Sequence, residues 1–297
     1  MKKKCGVVCH DAGGAEIICR LLKTMNYDYL YSLKGPAIKI FYNYLGVINN
    51  QSLYQVIRHS DLVICGTSWQ STHENEALVL AQEMNKKVIS VIDHYAFYES
   101  RYIKNGFRIV PSEIWVTDTI AQNLAREFAP KANVKVIGNP YLYELKKEFA
   151  KFKISRNIQF NNFLYLFEPF SEQAFLQYNN RSYWNFDEYS AFSFFLQNIF
   201  KLTNSKDINI FIRPHPSEDP TKYQNLLVSK DNYKINLDVN TDLLLSMSLV
   251  DCVIGVDTIA MMLASELGIP TYSSLPNNVS YAPTIPGVRI NYIRDIP

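Results

Sequence analysis

The feature that most constrains the fold is a regular alternation of short apolar runs with amphipathic helical segments. Residues 5–10 predict a buried strand, and residues 12–25 predict a helix whose apolar positions recur at helical spacing. This pairing repeats up to residue 140 and again from residue 163 to residue 274. Strands and helices that alternate at this pace predict parallel strands joined by crossover helices. We therefore expect an α/β fold with doubly wound parallel sheets.

A charged and polar segment at residues 144–160 interrupts the alternation and predicts a helix followed by a linker. A length of 297 residues also favours two domains over one. We place the boundary so that residues 1–150 and 151–297 each form a Rossmann-like domain. Two such domains that face each other would enclose a ligand cleft.

Composition excludes several classes of protein. Lys and Arg number 30 against 28 Asp and Glu, so the net charge of +2 gives no support to nucleic acid as a partner. The five cysteines form no CxxC pair or metal-type cluster, which favours buried thiols in a reducing cytoplasm. The N-terminus predicts neither a signal peptide nor a membrane span. Lys2, Lys3 and Lys4 leave peripheral contact with the inner membrane face as an alternative, although a solvated terminus is the default.

Polar residues follow nearly every predicted strand. In open parallel sheets, ligands bind beyond the carboxyl ends of the strands, so this distribution predicts a binding site at that edge of each sheet. The segments are "HDAGG" (10–14), "CGTS" (65–68), "IDHY" (92–95), "IGNP" (137–140), "FEPFSE" (167–172), "RPHP" (213–216) and "GVDT" (255–258).

The segment after the first strand combines an acid with two glycines. Gly13 and Gly14 would let the backbone approach a ligand and would open a helix N-terminus, where free amides favour anions. The segment is not GxGxxG, so a dinucleotide cofactor loses support. Asp11 suits a general base that removes a proton from a hydroxyl acceptor, and helix capping is an equal alternative. We expect His10 to orient its neighbours.

Residues 91–102 predict a sugar-binding loop. Asp93 and His94 end a strand, and Tyr95 and Arg101 follow in an aromatic and polar stretch. Sugar rings stack on aromatic faces, and their hydroxyls need charged or amide partners. The alternative is a surface loop whose tyrosines cover the edge of the core. For the segment that ends at Thr67 and Ser68, helix capping is favoured over hydroxyl chemistry.

The segment "FIRPHPSED" (211–219) is the most informative. Pro214 and Pro216 fix the backbone on both sides of His215 at the end of a strand. A histidine held in this way can donate hydrogen bonds to a phosphate and stabilise a leaving nucleotide. Arg213 would assist it, or pair with an acid at position 218 or 219.

Further candidates for nucleotide contacts lie at other strand ends of the second half. Glu168 would bind a ribose or a base edge, and a capped turn is the competing interpretation for it and for Ser171 and Glu172. Thr258 lies at a predicted helix start, where it would meet a phosphate. Asp257 is either the cap of that helix or a nucleotide contact, with capping favoured. No DxD occurs in the chain, which favours metal-free stabilisation of the leaving group and no cofactor.

The pairing of "RPHP" with the later "GVDTIAMMLASELGIP" (255–270) resembles bacterial GT-B glycosyltransferases that use CMP-activated sugars. These include sialyltransferases, polysialyltransferases and Kdo transferases. The segments "HDAGGA", "DHY" and "GNPY" are similar to a surface-polysaccharide branch of this group, one that handles sialic-acid-like sugars such as pseudaminic or legionaminic acid. The resemblance spans most of the chain, and Asp257-Thr258 replace the serine pairs common in relatives.

The resemblance implies a GT-B fold with an acceptor-side domain at 1–150 and a donor domain at 151–297. It implies transfer of a nonulosonic acid or Kdo from its CMP donor to a hydroxyl of a surface glycan or glycolipid. His215 would contact the CMP phosphate with help from Thr258, and Asp11, assigned by location, would be the base or the nucleophile. Rivals are a UDP-sugar transferase or epimerase, a CDP-glycerol-type transferase, and a non-catalytic nucleotide-sugar-binding protein.

Overall fold

The computed structural model describes residues 2–46, 48–68, 71–104, 106–152, 160–230, 232–284 and 290–297. Within it the chain divides into two compact units, Met1–Glu144 and Leu145–Pro297. The division lies six residues before the boundary drawn from the sequence, inside helix α7 (Pro140–Phe149), which overlaps the start of the polar segment at residues 144–160. Residues 153–159 of the segment predicted as a helix followed by a linker lie outside the described residues.

The first unit contains a sheet of six parallel strands in the order β2-β1-β3-β4-β7-β8. From β1 the chain adds β2 on one side and the later strands, starting with β3, on the other side. The switch point of the sheet therefore lies between β1 and β3. A short antiparallel hairpin, β5 with β6, lies outside this sheet. The strands are β1 (Lys4–Cys9), β2 (Asp28–Leu33), β3 (Leu62–Cys65), β4 (Lys87–Ile92), β5 (Ile103–Lys104), β6 (Phe107–Arg108), β7 (Glu113–Val116) and β8 (Asn133–Val136).

The helices of the first unit cover this sheet with two apolar clusters. Pro36 stands in the first turn of α2, where its missing N–H costs nothing, and the Asp118 carboxylate caps α6 by accepting from Ala121 N over 2.8 Å. The helices are α1 (Ala12–Leu22), α2 (Pro36–Leu45), α3 (Leu53–His59), α4 (His73–Glu83), α5 (Tyr98–Tyr102), α6 (Thr119–Phe128) and α7, which carries the boundary.

The second unit contains another sheet of six parallel strands, in the order β11-β10-β9-β12-β13-β14. Numbered along the chain this is 3-2-1-4-5-6, the Rossmann order, and its switch point lies between β9 and β12. The strands are β9 (Asn162–Leu166), β10 (Ile208–Arg213), β11 (Tyr233–Leu237), β12 (Cys252–Gly255), β13 (Thr271–Ser273) and β14 (Asn291–Tyr292).

Aromatic side chains dominate the core of the second unit. Tyr165 on β9 lies 4.7 Å from Phe192 between ring centroids, and Phe167 stacks on Tyr223 at 4.0 Å. Asp187 and Ser190 form a capping box at the start of α9. The helices are α8 (Phe170–Tyr178), α9 (Glu188–Asn198), α10 (Leu243–Ser248) and α11 (Ile259–Glu266), with 3-10 turns at Ile199–Lys201, Pro220–Leu226 and Ile293–Asp295.

The two parallel sheets with flanking helices confirm the predicted doubly wound α/β class. Two helices add to the elements that the sequence pattern indicates. Residues 170–178 form helix α8, where a capped turn was the competing interpretation for Ser171 and Glu172, and Leu53–His59 form helix α3.

All five cysteines are free and buried: Cys5, Cys9, Cys19, Cys65 and Cys252. Burial raises the pKa of the Cys5 and Cys65 thiols to about 12. Across the described residues, no helix combines the length and the apolar character needed to cross a bilayer.

Candidate functional site

Three of the predicted residues of the second unit lie together at the carboxyl edge of its sheet. Glu168 follows β9 and Thr258 follows β12, so the two side chains flank the switch point. His215 follows the neighbouring strand β10, and its Nε2 lies 3.9 Å from Glu168 Oε2. Open α/β sheets bind ligands at this place, and the geometry therefore singles out this group as the candidate site.

The loop that carries His215 is a tight turn. Glu218 N donates to His215 O over 2.9 Å, and Pro216 occupies the second position of the turn, which suits its fixed φ. Ser217 N donates to His215 Nδ1 over 3.2 Å, so Nδ1 is an acceptor. In the neutral imidazole the proton is then on Nε2, the nitrogen that faces Glu168. The side chain is 36% exposed, which leaves the ring accessible to a ligand.

Glu168 is the buried acid of this site. Burial raises the pKa of its carboxyl, while the charge of nearby His215 and a hydrogen bond from the Thr258 hydroxyl oppose the rise. Gln173 Nε2 also donates to Glu168 Oε2 over 3.5 Å. A carboxylate so placed faces the Nε2 side of the His215 ring and can accept from a ligand hydroxyl.

Thr258, rather than Asp257, caps helix α11. The Thr258 hydroxyl accepts from Ala260 N over 3.4 Å, so the favoured prediction of a cap at Asp257 is wrong. Asp257 Oδ2 instead accepts from the Tyr281 hydroxyl and from the backbone and hydroxyl of Thr284, at 2.7, 2.7 and 2.8 Å. Asp257 therefore fastens the 281–284 loop beside the site.

Arg213 pairs with an acid that the sequence did not indicate. Its Nη1 donates to Asp238 Oδ2 over 2.6 Å and to Asn240 O over 2.9 Å, and Nη2 donates to Thr241 O over 3.2 Å. The predicted pairing with Glu218 or an acid next to it is thus not formed. The guanidinium joins the end of β10 to the segment after β11, and its predicted nucleotide contact stays a prediction.

Ser171 and Glu172 belong to a charged cluster beside the His215 turn. The Ser171 hydroxyl lies 2.9 Å from Glu188 Oε1 and 3.0 Å from Glu172 Oε2, so its one proton is shared between the two carboxylates. Lys222 Nζ donates to Glu188 Oε1 and Glu218 Oε1 over 2.6 and 2.7 Å, and to Glu172 Oε2 over 3.2 Å. We call Glu172, Glu188, Glu218 and Lys222 the lysine cluster.

In the first unit, Asp11 is not used as a helix cap. It occupies the position before α1, but its side chain makes no capping hydrogen bond. Its Oδ1 instead accepts from Ser68 Oγ over 2.8 Å and lies 2.6 Å from His10 Nδ1. The structure thus decides against capping and forms a half-buried His10–Asp11 pair. A carboxylate paired in this way can accept a proton from a hydroxyl.

A second acid, Glu74, lies beneath this pair. Glu74 is 3% exposed, and its Oε1 accepts from His10 N over 2.7 Å. Oε2 is buried without a hydrogen-bond partner. Burial raises the pKa of Glu74 to about 7, against the lowering effect of the His10 amide. Glu74 therefore holds a proton at neutral pH far more readily than an exposed glutamate.

Asp93 occupies the space in front of Gly13. A Cβ built on Gly13 would lie 1.9 Å from Asp93 Oδ2, whereas one on Gly14 would meet Gly66 Cα at 3.5 Å. The opening turn of α1, predicted to receive a ligand anion, is thus faced by the protein's own carboxylate. Asp93 Oδ1 lies 3.6 Å from Arg101 Nη1.

The predicted sugar-binding residues separate into two groups. Arg101 is buried and donates to both oxygens of Thr67, at 3.0 Å for the carbonyl and 2.9 Å for the hydroxyl, so both residues support the fold here. Tyr95 donates to Asp118, and His94 Nδ1 accepts from Ala96 N over 3.2 Å. Both rings are half-buried, and their sugar contacts stay a prediction.

Sequence reasoning missed Glu74, Glu188 and Lys222. Glu74 shares a helix face with buried Ala77, Leu78 and Ala81, so the i, i+3, i+4, i+7 pattern places it inside. The spacing of Glu218 and Lys222 suggests a pair, although the segment is a 3-10 helix. Nothing in the local sequence places Glu188 against either of them.

Comparison with known proteins yields matches in structure only. No protein-family model matches the sequence, and neither does any curated protein. A putative UDP-N-acetylglucosamine 2-epimerase from Listeria monocytogenes superposes with a TM-score of 0.59 at 12% identity, covering 92% of this chain and 79% of that one. The UDP-GlcNAc 2-epimerase from Neisseria meningitidis, bound to UDP-GlcNAc, gives 0.55 at 16% identity, covering 93% and 83%.

A likeness at this level of identity shows the fold. It extends over nearly the whole chain and includes both units. The chain has the GT-B fold, built from two Rossmann-like domains.

Proposed function

We propose that the chain is an enzyme that acts on a nucleotide-activated sugar, as a UDP-sugar transferase or epimerase, and that its second unit binds the nucleotide. The observation that carries this is the meeting of His215, Glu168 and Thr258 at the switch point of the second sheet. The likeness to UDP-GlcNAc 2-epimerases supports a UDP donor over a CMP donor.

The chemistry follows from the proton on Nε2 of His215. When the bond between the anomeric carbon and the phosphate oxygen breaks, negative charge develops on the departing nucleotide. A fixed N–H donor at that oxygen stabilises the charge. Glu168 Oε2, 3.9 Å from Nε2, lies on the side of the ring that carries this donor.

In a transfer reaction, an acceptor hydroxyl forms the new bond to the anomeric carbon and loses its proton. We propose Asp11 as the base for that proton, because its carboxylate makes no capping hydrogen bond to helix α1. The acceptor would be a glycan or a glycolipid, and peripheral contact with a membrane belongs to the same proposal.

Nucleotide binding tests the proposal directly. Thermal unfolding of the wild type is followed with UDP, UDP-GlcNAc, CDP and CMP added separately. A ligand at one hundred times its Kd stabilises the folded state by about 2.7 kcal/mol. We expect UDP and UDP-GlcNAc to raise the Tm of the second unit, and His215→Ala to lose most of that rise.

His59→Ala is the matched control, since His59 is an exposed histidine at the end of α3. It should bind UDP like the wild type. Loss of turnover in His215→Ala with an unchanged circular dichroism spectrum would support catalysis by His215. A non-catalytic binding protein would show no turnover even in the wild type, and His215→Ala would spare its biological role. A UDP-dependent rise that is equal in His215→Ala and the wild type contradicts the proposed site.

Transfer of a nonulosonic acid or Kdo from a CMP donor is the second candidate. The observation in its favour is the pairing of the 213–216 segment with the segment that contains Thr258, which resembles CMP-sugar transferases. It predicts that CMP stabilises the protein and UDP does not. Stabilisation by CDP alone would favour a CDP-glycerol-type transferase instead.

A further inference from the structure

We propose that Lys222 is a positioning residue whose ammonium group takes the place of a divalent cation in the lysine cluster and holds the His215 turn in its ligand-binding geometry. The inference rests on the proposed function, because it assigns the cluster to nucleotide binding through His215.

The first step is the shape of the cluster. Carboxylate oxygens of Glu172, Glu188 and Glu218 lie within 4.8 Å of one another, an arrangement that could hold a metal ion. Lys222 Nζ contacts all three carboxylates, at 3.2, 2.6 and 2.7 Å. An ammonium group has three N–H donors, so each carboxylate receives one.

The second step is the burial of the acids. The side chains of Glu188 and Glu218 are 1% and 5% exposed, and that of Lys222 is 21% exposed. Removing the partner of a buried charge is strongly destabilising, because the remaining charge is left uncompensated. The two buried acids, Glu188 and Glu218, therefore require a cation, and Lys222 supplies it, whereas Glu172 is 43% exposed. The neighbouring carboxylates raise the pKa of Lys222, so it stays charged.

The third step connects the cluster to the candidate site. Glu218 Oε1 accepts from Lys222 and, over 2.8 Å, from the Tyr223 hydroxyl, while Oε2 accepts from His215 N over 3.2 Å. Glu218 is thus fixed on one oxygen and holds the histidine backbone with the other. Ser171, in the first turn of α8, is bound to Glu188 in the same network.

These contacts give Lys222 an effect on the direction of the His215 ring without a contact to the ligand. Without the ammonium group, Glu172, Glu188 and Glu218 repel one another, and Glu218 loses its fixed position. A divalent cation of suitable size could then enter the vacated position, since carboxylate oxygens are the ligands that hard cations prefer.

The experiment compares wild type, Lys222→Met and, as a matched control, Lys206→Met, which removes an exposed lysine of the same unit. UDP affinity is measured by calorimetry with and without Mn²⁺, and Mn²⁺ binding without nucleotide is measured by electron paramagnetic resonance. Mutating a residue that orients a metal ligand typically costs about 10- to 100-fold in metal affinity or activity, and we take the same scale for a residue that orients His215. We expect Lys222→Met to lose at least about tenfold in UDP affinity.

We further expect Lys222→Met to bind one Mn²⁺ per chain and to regain UDP affinity when it does. Wild type and Lys206→Met should bind no Mn²⁺ and gain nothing from it. The proposal is overturned if Lys222→Met binds UDP like the wild type, if it takes up no Mn²⁺, or if the bound Mn²⁺ leaves its UDP affinity low. Stoichiometric Mn²⁺ binding at these acids in the wild type also overturns it.

Lys222→Arg covers the case in which Lys222→Met does not fold. A guanidinium keeps the charge, but its planar fork cannot place one nitrogen against three carboxylates. We expect a folded variant with weaker UDP binding, and unchanged affinity would overturn the proposal. If the wild type binds no UDP, the proposed function fails, while the Mn²⁺ measurements still test the exchange of lysine for a metal.

Discussion

Replacement of Gly13 by alanine tests how the first unit arranges its acids. An ideal Cβ at this position lies 1.9 Å from Asp93 Oδ2 and 3.0 Å from Asp93 Cγ. No side-chain atom fits at that distance, so the Asp93 carboxylate must rotate away. The rotation disturbs its pairing with buried Arg101, at 3.6 Å.

The magnitude follows from two opposing effects. Forcing an extra methyl into a packed site costs about 1–3 kcal/mol. Alanine is better than glycine in a helix by about 1 kcal/mol, which offsets part of the cost. We expect Gly13→Ala to reduce the free energy of unfolding by up to about 2 kcal/mol.

Gly14→Ala is the matched control one residue along the same helix. Its Cβ would meet Gly66 Cα at 3.5 Å and Cys9 Sγ at 3.6 Å, which is ordinary van der Waals contact. Only the gain in helix propensity remains, so this variant should be as stable as the wild type or more stable by up to about 1 kcal/mol.

The assay is urea unfolding followed by tryptophan fluorescence in a Trp184→Phe background, which leaves only tryptophans of the first unit, among them Trp115 on β7. Repeating Gly13→Ala in an Asp93→Ala background removes the clash, so a double-mutant cycle should give a coupling of about 2 kcal/mol. If Gly13→Ala costs the same in both backgrounds, or nothing in either, Asp93 does not occupy the space in front of Gly13.

Three further predictions concern buried charges. Glu74→Gln should be more stable than the wild type by about 1–3 kcal/mol at pH 8 and equally stable at pH 4. The Glu74 carboxyl has a pKa of about 7 in the folded protein, so the wild type loses stability as pH rises from about 4.5 to 7. Parallel pH–stability curves of the two proteins would contradict this. Glu113→Gln should lower the free energy of unfolding by about 1–2 kcal/mol at pH 7, and this difference should vanish as pH falls through about 2. Despite burial, Lys135 and Lys87 lower the pKa of Glu113 to about 2. A difference in stability that persists at pH 2 would refute the assignment. Arg213→Lys should cost about 1–2 kcal/mol in urea unfolding, because lysine cannot bridge the 2%-exposed Asp238 and two carbonyls, whereas Arg181→Lys, on the surface, should cost almost nothing.

The order of strands and helices can be predicted from the sequence because the spacing of apolar residues, which distinguishes a strand from a helix, is a local property. Buried strands such as β1 are continuous apolar runs, and helices such as α1 repeat their apolar residues at 3.6-residue spacing. Helix α8 was not predicted because Glu168, Pro169 and Ser171 are also typical of a turn. The buried face of this helix consists of Phe170 and Ala174. A face of two residues is too small to give a periodic pattern.

The sequence predicts where the site residues lie along the sheet edge, but it does not predict which side chains they pair with. Residues at the carboxyl ends of parallel strands, such as Asp11 and His215, can be located from the strand pattern alone. The partner of Arg213 is 25 residues away on the neighbouring strand's exit, and the strand order decides that contact. Lys222 meets Glu188 for the same reason, through packing between distant segments.

The burial of the cysteines has a practical consequence. Cys5, Cys9, Cys19 and Cys65 belong to the first unit, and Cys252 belongs to the second. A short pulse of an alkylating reagent during denaturation would therefore add one label when the second unit opens and four when the first opens. Intact-mass spectra of the pulsed protein would report the unfolding of each half separately, without any engineered probe.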